Sequence, residues 1–423
     1  GIDHGAAGPR APAGGGGGFA HEEIATMKDV FQAVQVTEKV YWVGAIDWSV
    51  RDFHGYLTSS GTTYNAYLIL AEKVTLMDTV KAGYAEEMLA RIASVIDPKK
   101  IDYLVSNHSE PDHAGSIAKT IEAIEPETVF ASKKGVEALG LYFDVGEQVQ
   151  AVADGQQLSL GDRTLTFAET RLCHWPDSMV SYLHEDQMLI SQDAFGMHLA
   201  SYKRFADEMD PATLDYEARK YYANILLPLS GFVAKSIAKL QDLGVPISII
   251  CPDHGPIWRQ QPEKIVQDYL AWAEQKRNNK AVVVYDTMWK STELLARAVG
   301  EGLAAGGASP KLCPLAGNHR SDVATELLDA GALVVGAPTL NKQVFPTLAD
   351  CLTYVTGLQP KGLLGGAFGS YGWGGEATGK LSDFLQQMGV ETVTEPIRSK
   401  YAPDAGTLKA CYDMGAEIAG RIA

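Results

Sequence analysis

The sequence has few cysteines, and none of them is spaced for a metal-binding or redox pair. There are five in 423 residues, Cys173, Cys251, Cys313, Cys351 and Cys411. No two are separated by only two residues, which argues against a zinc ribbon, a rubredoxin module or a ferredoxin-type cluster within this chain. There is also no disulfide framework and no secretory signal, so the sequence predicts a reducing, cytoplasmic location.

Long apolar runs and an excess of positive charge are also missing. The longest stretch without Asp, Glu, Lys or Arg runs from Phe53 to Ala71 and is rich in Gly, Ser and Thr, which is not typical of a membrane span. Asp and Glu number 52 against 36 Lys and Arg, giving a formal net charge of −16. This acidic balance argues against nucleic acid and anionic membranes as partners.

The composition is that of a globular protein of two or three domains, with a glycine-rich start. Hydrophobic residues make up 46% of the chain. Eight of the first 18 residues are glycine. We interpret residues 1–26 as a flexible tail or cloning scar, and Met27 as the native start.

Two patterns of apolar residues follow the tail. Residues 27–278 alternate short apolar runs with amphipathic ones, which predicts a mixed sheet covered by helices. After a polar stretch at 274–280, residues 279–423 show a regular βαβ rhythm, which predicts a doubly wound parallel sheet. Strands are predicted at 39–44, 66–70, 73–77, 101–106, 164–168, 179–183, 187–190, 247–251, 281–285, 332–336 and 362–368. Helices are predicted at 84–96, 116–124, 291–303, 376–388 and 407–422.

A dense group of possible metal ligands follows the strand at 101–106. Residues 108–113 read His-Ser-Glu-Pro-Asp-His, so His108, Glu110, Asp112 and His113 lie within six residues. Loops at strand ends are where α/β folds carry their chemistry. A polar turn leading into a helix cap is the alternative, but two histidines with two carboxylates in such a run favour a metal site.

Three further candidates each follow a predicted strand. They are His174, Asp193 and His254. Each alone is more typical of a structural polar residue, but their shared strand-end position favours a joint site. The combined set has four imidazoles, three carboxylates and no thiolate, which suits iron or manganese as well as zinc. Anionic ligands also favour the higher oxidation states that a redox metal pair must reach.

A hydroxyl-rich loop opens the helix after the strand at 281–285. Its residues are Thr287, Met288, Trp289, Lys290, Ser291 and Thr292. A helix N-terminus with nearby hydroxyls can hold a phosphate, although an ordinary capped helix is the alternative. The chain lacks G-x-x-x-x-G-K-[ST], and this strand is not followed by G-x-G-x-x-G, which argues against ATP or GTP and weakens NAD.

Two more loops follow the next predicted strands of this domain. One contains Pro338, Thr339, Leu340 and Asn341, and the other contains Phe368, Gly369, Ser370, Tyr371, Gly372, Trp373 and Gly374. Loops at the carboxyl ends of adjacent parallel strands surround one crevice. Glycines let the backbone approach a flat ring, and aromatic side chains can stack on it. The arrangement resembles flavodoxin, which implies non-covalently bound FMN; Lys290 departs from the glycine usual at that position.

The metal motif resembles the metallo-β-lactamase superfamily, whose hydrolases carry His-x-His-x-Asp-His. Here Glu110 replaces the second histidine, as in the flavodiiron proteins. The runs Asp-Trp at 47–48, Phe-His-Gly-Tyr at 53–56 and Gly-Thr-Thr-Tyr-Asn-Ala-Tyr at 61–67 resemble the same family. The resemblance extends from Met27 to Ala423. It implies a metallo-β-lactamase-like αββα sandwich followed by a flavodoxin-like sheet.

The resemblance also implies the cofactors and their ligands. FMN would be joined by two non-haem irons. One iron would be held by His108, Glu110 and His174, and the other by Asp112, His113 and His254, with Asp193 as the bridge. Some members of the family leave the position of His113 uncoordinated.

The implied activity is electron transfer from FMN to the iron pair, which reduces dioxygen to water, nitric oxide to nitrous oxide, or both. Two irons and one flavin together hold the four electrons that one dioxygen needs. A separate rubredoxin is the expected donor, with a reduced deazaflavin coenzyme as the alternative. A zinc hydrolase fused to a flavodoxin, and an electron carrier with an inert metal domain, are the competing functions.

The resemblance further places His54, and one of Tyr221 and Tyr222, beside the open face of the irons. A loop hydrogen bond for the histidine and core packing for the tyrosines are the alternatives. Because the two cofactors belong to different domains, we expect a head-to-tail homodimer, or a pair of such dimers, in which the irons of one chain meet the FMN of the other.

Overall fold

The computed structural model describes residues 27–146 and 148–422. The tail predicted for residues 1–26 lies outside them. The chain divides into two compact units. The first contains the described residues up to Val50, together with Ser60–Leu214 and Lys235–Val266; the second contains Arg51–Ser59, Asp215–Ala234 and the chain from Gln267 onward. The boundary predicted at 278 and 279 stays a prediction.

The strands, in chain order, are β1 Val34–Gln35, β2 Val40–Trp42, β3 Ala45–Asp47, β4 Asp52–Phe53, β5 Tyr56–Leu57, β6 Thr62–Tyr64, β7 Tyr67–Ile69, β8 Thr75–Met77, β9 Tyr103–Ser106, β10 Thr128–Ser132, β11 Val149–Val152, β12 Gln157–Ser159, β13 Thr164–Glu169, β14 Met179–Leu183, β15 Met188–Gln192, β16 Ile249–Pro252, β17 Lys280–Tyr285, β18 Ser309–Pro314, β19 Ala332–Pro338, β20 Leu364–Tyr371, β21 Glu391–Thr392 and β22 Ile397–Lys400.

The α-helices are α1 Ala85–Ala93, α2 Pro111–Ala114, α3 Ile117–Ile124, α4 Lys133–Tyr142, α5 Pro211–Tyr221, α6 Ser230–Asp242, α7 Pro262–Ala273, α8 Ser291–Ala305, α9 Arg320–Leu327, α10 Pro346–Leu358, α11 Glu376–Gln387 and α12 Ala405–Ile422. A π-helical turn at Tyr222–Leu226 follows α5.

Two mixed sheets form the first unit. One has the strand order β1-β2-β7-β8-β9-β10-β11, and the other has the order β12-β13-β14-β15-β16. One apolar cluster joins Trp42, Tyr67 and Val105 of the first sheet to Phe167 and Ile190 of the second, so the two sheets face each other. A separate cluster covers the other face of the first sheet with residues of α1, α3 and α4. This layering agrees with the expected sandwich.

The second unit contains a parallel sheet with apolar clusters on both faces. Its order is β18-β17-β19-β20-β21, and β22 also pairs with β20. One cluster contains Val282, Val335 and Leu348, and the other contains Val283 and Met414. Helices therefore cover both sides of the sheet, as the doubly wound prediction requires.

Two strands of this sheet are longer than predicted. β19 continues to Pro338 and β20 to Tyr371, and Pro338 pairs with Ser370. Pro338 and the run 368–371, which were expected in loops, therefore lie at strand ends. Gly369 suits this pairing because a Cβ there would lie 2.4 Å from the Ala337 carbonyl oxygen. The other predicted elements differ from the observed ones by a few residues at their ends.

One helical stretch among the residues described, Pro211–Asp242, is long and apolar enough to cross a membrane by those two criteria alone. Its most apolar window is 56% buried inside the structure. A core helix meets the same criteria, so the stretch is weak evidence for a membrane span.

Candidate metal and flavin sites

Strand ends of the two facing sheets deliver the predicted metal ligands. His108 follows β9, and the short helix α2 carries Asp112 and His113. Asp193 follows β15, and His254 follows β16, the parallel neighbour of β15. Parallel pairing brings the carboxyl ends of β15 and β16 together, so the sheet itself sets these two ligands side by side.

The structure gathers all seven predicted residues into two adjoining groups. His108, Glu110, His174 and Asp193 form one group, and Asp112, His113 and His254 form the other. Within each group the possible ligand atoms lie within 4.8 Å of one another, and all seven residues are buried. This is the same division into two iron positions that the family resemblance implies.

Asp193 is oriented to serve both groups. Its Oδ2 lies 2.8 Å from His174 Nε2 and 3.3 Å from His108 Nε2. Its Oδ1 lies 3.1 Å from His113 Nε2 and 3.5 Å from His254 Nε2. Each carboxylate oxygen therefore faces a different group, which is the geometry of a bridging carboxylate.

The electrostatics of the site favour a bound cation. Burial alone would lower the pKa of a histidine, but the hydrogen bonds to Asp193 and Glu110 outweigh it and raise the pKa of His174 to about 9. The negative charges of Asp112 and Asp193 likewise overcome burial and raise the pKa of His113 to about 10. The carboxylates thus draw positive charge onto the imidazoles, and a metal ion supplies that charge while displacing the protons.

The unsatisfied atoms of the site also fit a metal pair. Both carboxylate oxygens of Asp112, Nε2 of His113 and Oδ1 of Asp193 are buried and, although some of them lie close together, they make no hydrogen bond of good geometry within the described part of the chain. Orphaned buried polar atoms require an explanation, and metal coordination supplies one. The donor set of imidazole and carboxylate without thiolate fits two irons.

The loop after β17 has the backbone that a phosphate cradle requires. Lys290 precedes α8 in the left-handed conformation, with φ of 70°. This is the position where flavodoxins carry glycine, and glycine adopts that conformation without steric cost. The Lys290 ammonium lies 2.8 Å from Glu293, and its side chain is 78% exposed. The side chain of Lys290 therefore faces solvent in this structure.

Polar atoms and aromatic rings beside this loop fit FMN. The hydroxyl of Thr287 is buried and lacks a hydrogen-bond partner among residues 27–146 and 148–422, and Thr292 and Ser370 hydroxyls lie 2.8 Å apart. Trp289 and Trp373 are 88% and 92% exposed. Such exposure of two tryptophans is unusual, and a stacked isoalloxazine ring would cover them. Phe368 differs, because it is fully buried in the core.

Comparisons with known proteins agree with both sites. Residues 62–255 match the ODP family beta lactamase, and residues 283–415 match flavodoxin. The chain is 47% identical to the rubredoxin-oxygen oxidoreductase of Megalodesulfovibrio gigas, over 92% of this chain and 98% of that protein. It is 43% identical to the nitric oxide reductase of Moorella thermoacetica, over 93% and 99% respectively. The crystal structure of the flavodiiron protein from Giardia intestinalis is 34% identical, with a TM-score of 0.89 over 92% of this chain and 97% of that one.

The chain belongs to the flavodiiron protein family. This membership confirms the predicted family and fold class: a metallo-β-lactamase-like domain followed by a flavodoxin domain, in an oxidoreductase. The cofactors of a flavodiiron protein are FMN and two irons. The two irons match the two ligand groups, and FMN matches the flavodoxin domain. In such a centre the irons and the flavin supply the redox chemistry, and the protein supplies ligands, orientation and protons.

The residues that hold the ligand histidines from behind carry no motif in the sequence and were not predicted. His254 Nδ1 lies 2.6 Å from the Thr63 carbonyl oxygen, and His108 Nδ1 lies 3.5 Å from Asp177 Oδ2. Asp177 also accepts hydrogen bonds from the backbone and hydroxyl of Ser109, at 2.7 and 2.6 Å. Such outer contacts fix the ring so that Nε2 faces the metal. Asp177 is only three residues after His174, a spacing that could have drawn attention to it.

A further buried histidine, His198, was also missed. Its ring centroid lies 4.6 Å from that of His254, and Thr62 Oγ1 contacts Nδ1 of both histidines, at 2.9 and 3.2 Å. Burial, reinforced by the nearby His254, keeps the pKa of His198 well below its usual range. His198 is therefore a neutral neighbour of the metal site, in a segment where no sequence motif marks it.

The three residues expected beside the irons belong to the other unit of the structure. His54 lies on the exposed turn between β4 and β5, with φ of 54°, and Tyr221 is buried at the end of α5. Tyr222 is fully buried, donates a hydrogen bond to Ser230 Oγ at 3.1 Å and packs against Tyr269. These contacts agree with the core-packing alternative for Tyr222, and the catalytic roles stay predictions.

Proposed function

We propose that this flavodiiron protein receives electrons on FMN from rubredoxin or a similar small donor. We further propose that it uses them at the iron pair to reduce dioxygen to water, nitric oxide to nitrous oxide, or both. The observation that carries this proposal is the orientation of Asp193, whose two oxygens face two separate ligand groups. A site of that form can hold two metals side by side, and two irons can share the electrons that reduce a diatomic gas.

The names of the relatives support the choice of substrates. One is a rubredoxin-oxygen oxidoreductase and the other a nitric oxide reductase, each matched over at least 92% of this chain. The comparisons do not favour the hydrolase alternative, and Glu110 stands where the hydrolases carry a histidine. The seven-residue site argues against an electron carrier with an inert metal domain.

Parallel steady-state turnover with each gas tests the proposal. Protein loaded with iron and FMN would be given reduced rubredoxin, and the consumption of dioxygen and of nitric oxide would be measured separately. We expect turnover with at least one gas, and its loss in Asp193→Ala protein that still binds FMN. A fully loaded protein that consumes neither gas would contradict the proposal.

We propose that His54 donates a proton to the gas as it is reduced. Its turn is exposed, and histidine is the side chain that most often serves as a general acid. Replacing His54 with Asn should lower turnover and leave the iron content unchanged, as measured by elemental analysis beside the gas electrode. Unchanged turnover would leave only the loop hydrogen bond as its role. The corresponding role for Tyr221 or Tyr222 rests on the resemblance alone.

We also propose a head-to-tail homodimer in a reducing cytoplasm. The five cysteines are all buried and free, as that compartment allows. A mixed dimer tests the assembly: one chain loses iron through Asp193→Ala, and the other loses FMN through changes at Thr287 and Thr292. Transfer between chains leaves one competent pair of cofactors, so about half of the sites should work. An inactive mixed dimer, formed from chains that fold and dimerise, would show transfer within one chain.

A further inference from the structure

A buried carboxylate lies behind His113, one of the three residues of the second ligand group. Asp253 is fully buried, and its Oδ2 lies 3.6 Å from His113 Nδ1. Neither His113 Nδ1 nor either Asp253 oxygen has a hydrogen-bond partner within the described ranges. The two groups therefore face each other without competition, although their separation is slightly longer than a hydrogen bond.

The backbone holds Asp253 in place on both sides. Its N–H donates to the Gln192 carbonyl at 2.9 Å, and its carbonyl accepts from the Asn65 N–H at 2.7 Å. The nearby carboxylate of Asp78 cannot take its place, because Asp78 accepts hydrogen bonds from the backbone and side chain of Asn107, at 2.6 and 2.7 Å. Asp253 is thus the carboxylate that is available to His113.

The opposite edge of the His113 ring faces the metal ligands. Its Nε2 lies 3.1 Å from Asp193 Oδ1 and 3.5 Å from Asp112 Oδ1. An imidazole that donates through Nδ1 presents the lone pair of Nε2 to a metal, so the partner of Nδ1 selects the tautomer and the ring orientation. A ring without such a partner can rotate away from the metal.

We infer that Asp253 accepts a hydrogen bond from His113 Nδ1 and thereby makes His113 a ligand of the second iron. Asp253 is a positioning residue in this role, because it acts through His113 and not on the substrate. The inference rests on the di-iron site of the proposed function. It explains why a fully buried carboxylate is retained next to the ligand His254.

A double-mutant cycle tests the inference. Ferrous iron would be titrated anaerobically, against a competing chelator, into FMN-loaded wild-type protein and into the variants Asp253→Ala, His113→Ala and the double variant. We expect Asp253→Ala to weaken the second iron by about 10- to 100-fold, as is typical for outer partners of metal ligands. In the His113→Ala background the same change should cause no further loss, because the residue through which Asp253 acts is gone.

Two outcomes of the iron titration would overturn the inference. One is an unchanged iron affinity in Asp253→Ala, and the other is an equal loss whether or not His113 is present. Spectroscopy of the mixed-valence iron pair gives an independent readout: Asp253→Ala should show one histidine nitrogen coupling fewer than wild type. A wild-type number of couplings would also overturn the inference.

Matched variants separate this effect from misfolding. Asp102→Ala removes another carboxylate of the first unit at the opposite end of β9, and it should leave the iron affinity unchanged. If Asp253→Ala fails to bind FMN or to fold, Asp253→Asn keeps the side-chain shape and should show the same loss to a smaller degree. Wild-type protein that binds both irons normally but consumes neither gas would count against the proposed function and not against this inference.

Discussion

Lys290 offers a sharp test of how the flavin loop is built. The residue combines a left-handed backbone with an ammonium that lies against Glu293 and points to solvent. We predict that Lys290→Gly stabilises the FMN-loaded second unit without changing its affinity for FMN. The alternative, in which the ammonium contacts the phosphate, predicts weaker FMN binding in the same variant.

The size of the effect follows from the backbone. A left-handed conformation costs a residue with a side chain roughly 1–2 kcal/mol, and glycine returns about 0.5–1 kcal/mol of this through its greater freedom in the unfolded chain. The expected net stabilisation is about 0.5–1 kcal/mol, which corresponds to a rise in Tm of roughly 1–4 °C for a unit of this size. The exposed ion pair with Glu293 contributes too little to change the sign.

Lys290→Met is the matched control, because it removes the ammonium and keeps the strained backbone. Thermal unfolding followed by flavin fluorescence should show a higher Tm for the Gly variant than for the Met variant. Fluorescence titration should give FMN affinities within about twofold of wild type for both, since no charge-assisted contact is lost. If both variants lose tenfold in affinity at low salt, Lys290 reaches the phosphate and the reasoning is wrong. Equal Tm values for the two variants would refute the strain argument.

Two further changes test the metal domain. Glu110→His should shift the metal content of protein made in iron-sufficient cells toward zinc, as measured by elemental analysis, and should abolish gas turnover. Full retention of oxygen reductase activity would contradict this. Asp47 is buried, which alone would raise its pKa, but hydrogen bonds from Ser49 and Tyr64 lower the pKa to about 2. Its stabilisation is therefore complete above pH 4 and lost as the pH falls toward 2. Asp47→Asn should cost about 1–2 kcal/mol at neutral pH, because solvent screens part of the interaction. Urea unfolding should show this difference shrinking below pH 4, and a constant difference would show that the charge is not involved.

The grouping of the predicted ligands could be expected from the sequence because His108, Asp193 and His254 each lie within two residues of the end of a strand. An apolar run that ends in His108, Asp193 or His254 reveals both the strand and the edge of the sheet at which the ligand lies. The pairing of β15 with β16 was not predictable in the same way, since it joins segments about 60 residues apart in the chain. Tertiary packing decides such pairing, and no local pattern records it.

The polar residues behind the ligands could not be distinguished from ordinary loop residues. Asp253 directly precedes His254, and a carboxylate at that place is equally typical of a turn or a helix cap. Its contact is with His113, which lies 140 residues earlier in the chain. The end of β20 was missed for a related reason: Gly369 resembles a loop residue, but it is small because the neighbouring strand leaves no room for a Cβ.

Asp177 gives the metal site a negative charge beyond that of its ligands. It is buried and lies 3.5 Å from His108. Burial alone would raise its pKa, but the charge of His108 and the hydrogen bonds from Ser109 hold the pKa of Asp177 below its usual range. In a medium of low dielectric constant such charges act strongly on a nearby cation and favour its higher oxidation state. A higher oxidation state is of no use to zinc, which does not change its oxidation state. The charge of Glu110, in place of a neutral histidine, acts in the same direction as the charge of Asp177, so the ligand set and the carboxylate behind it both suit a redox metal.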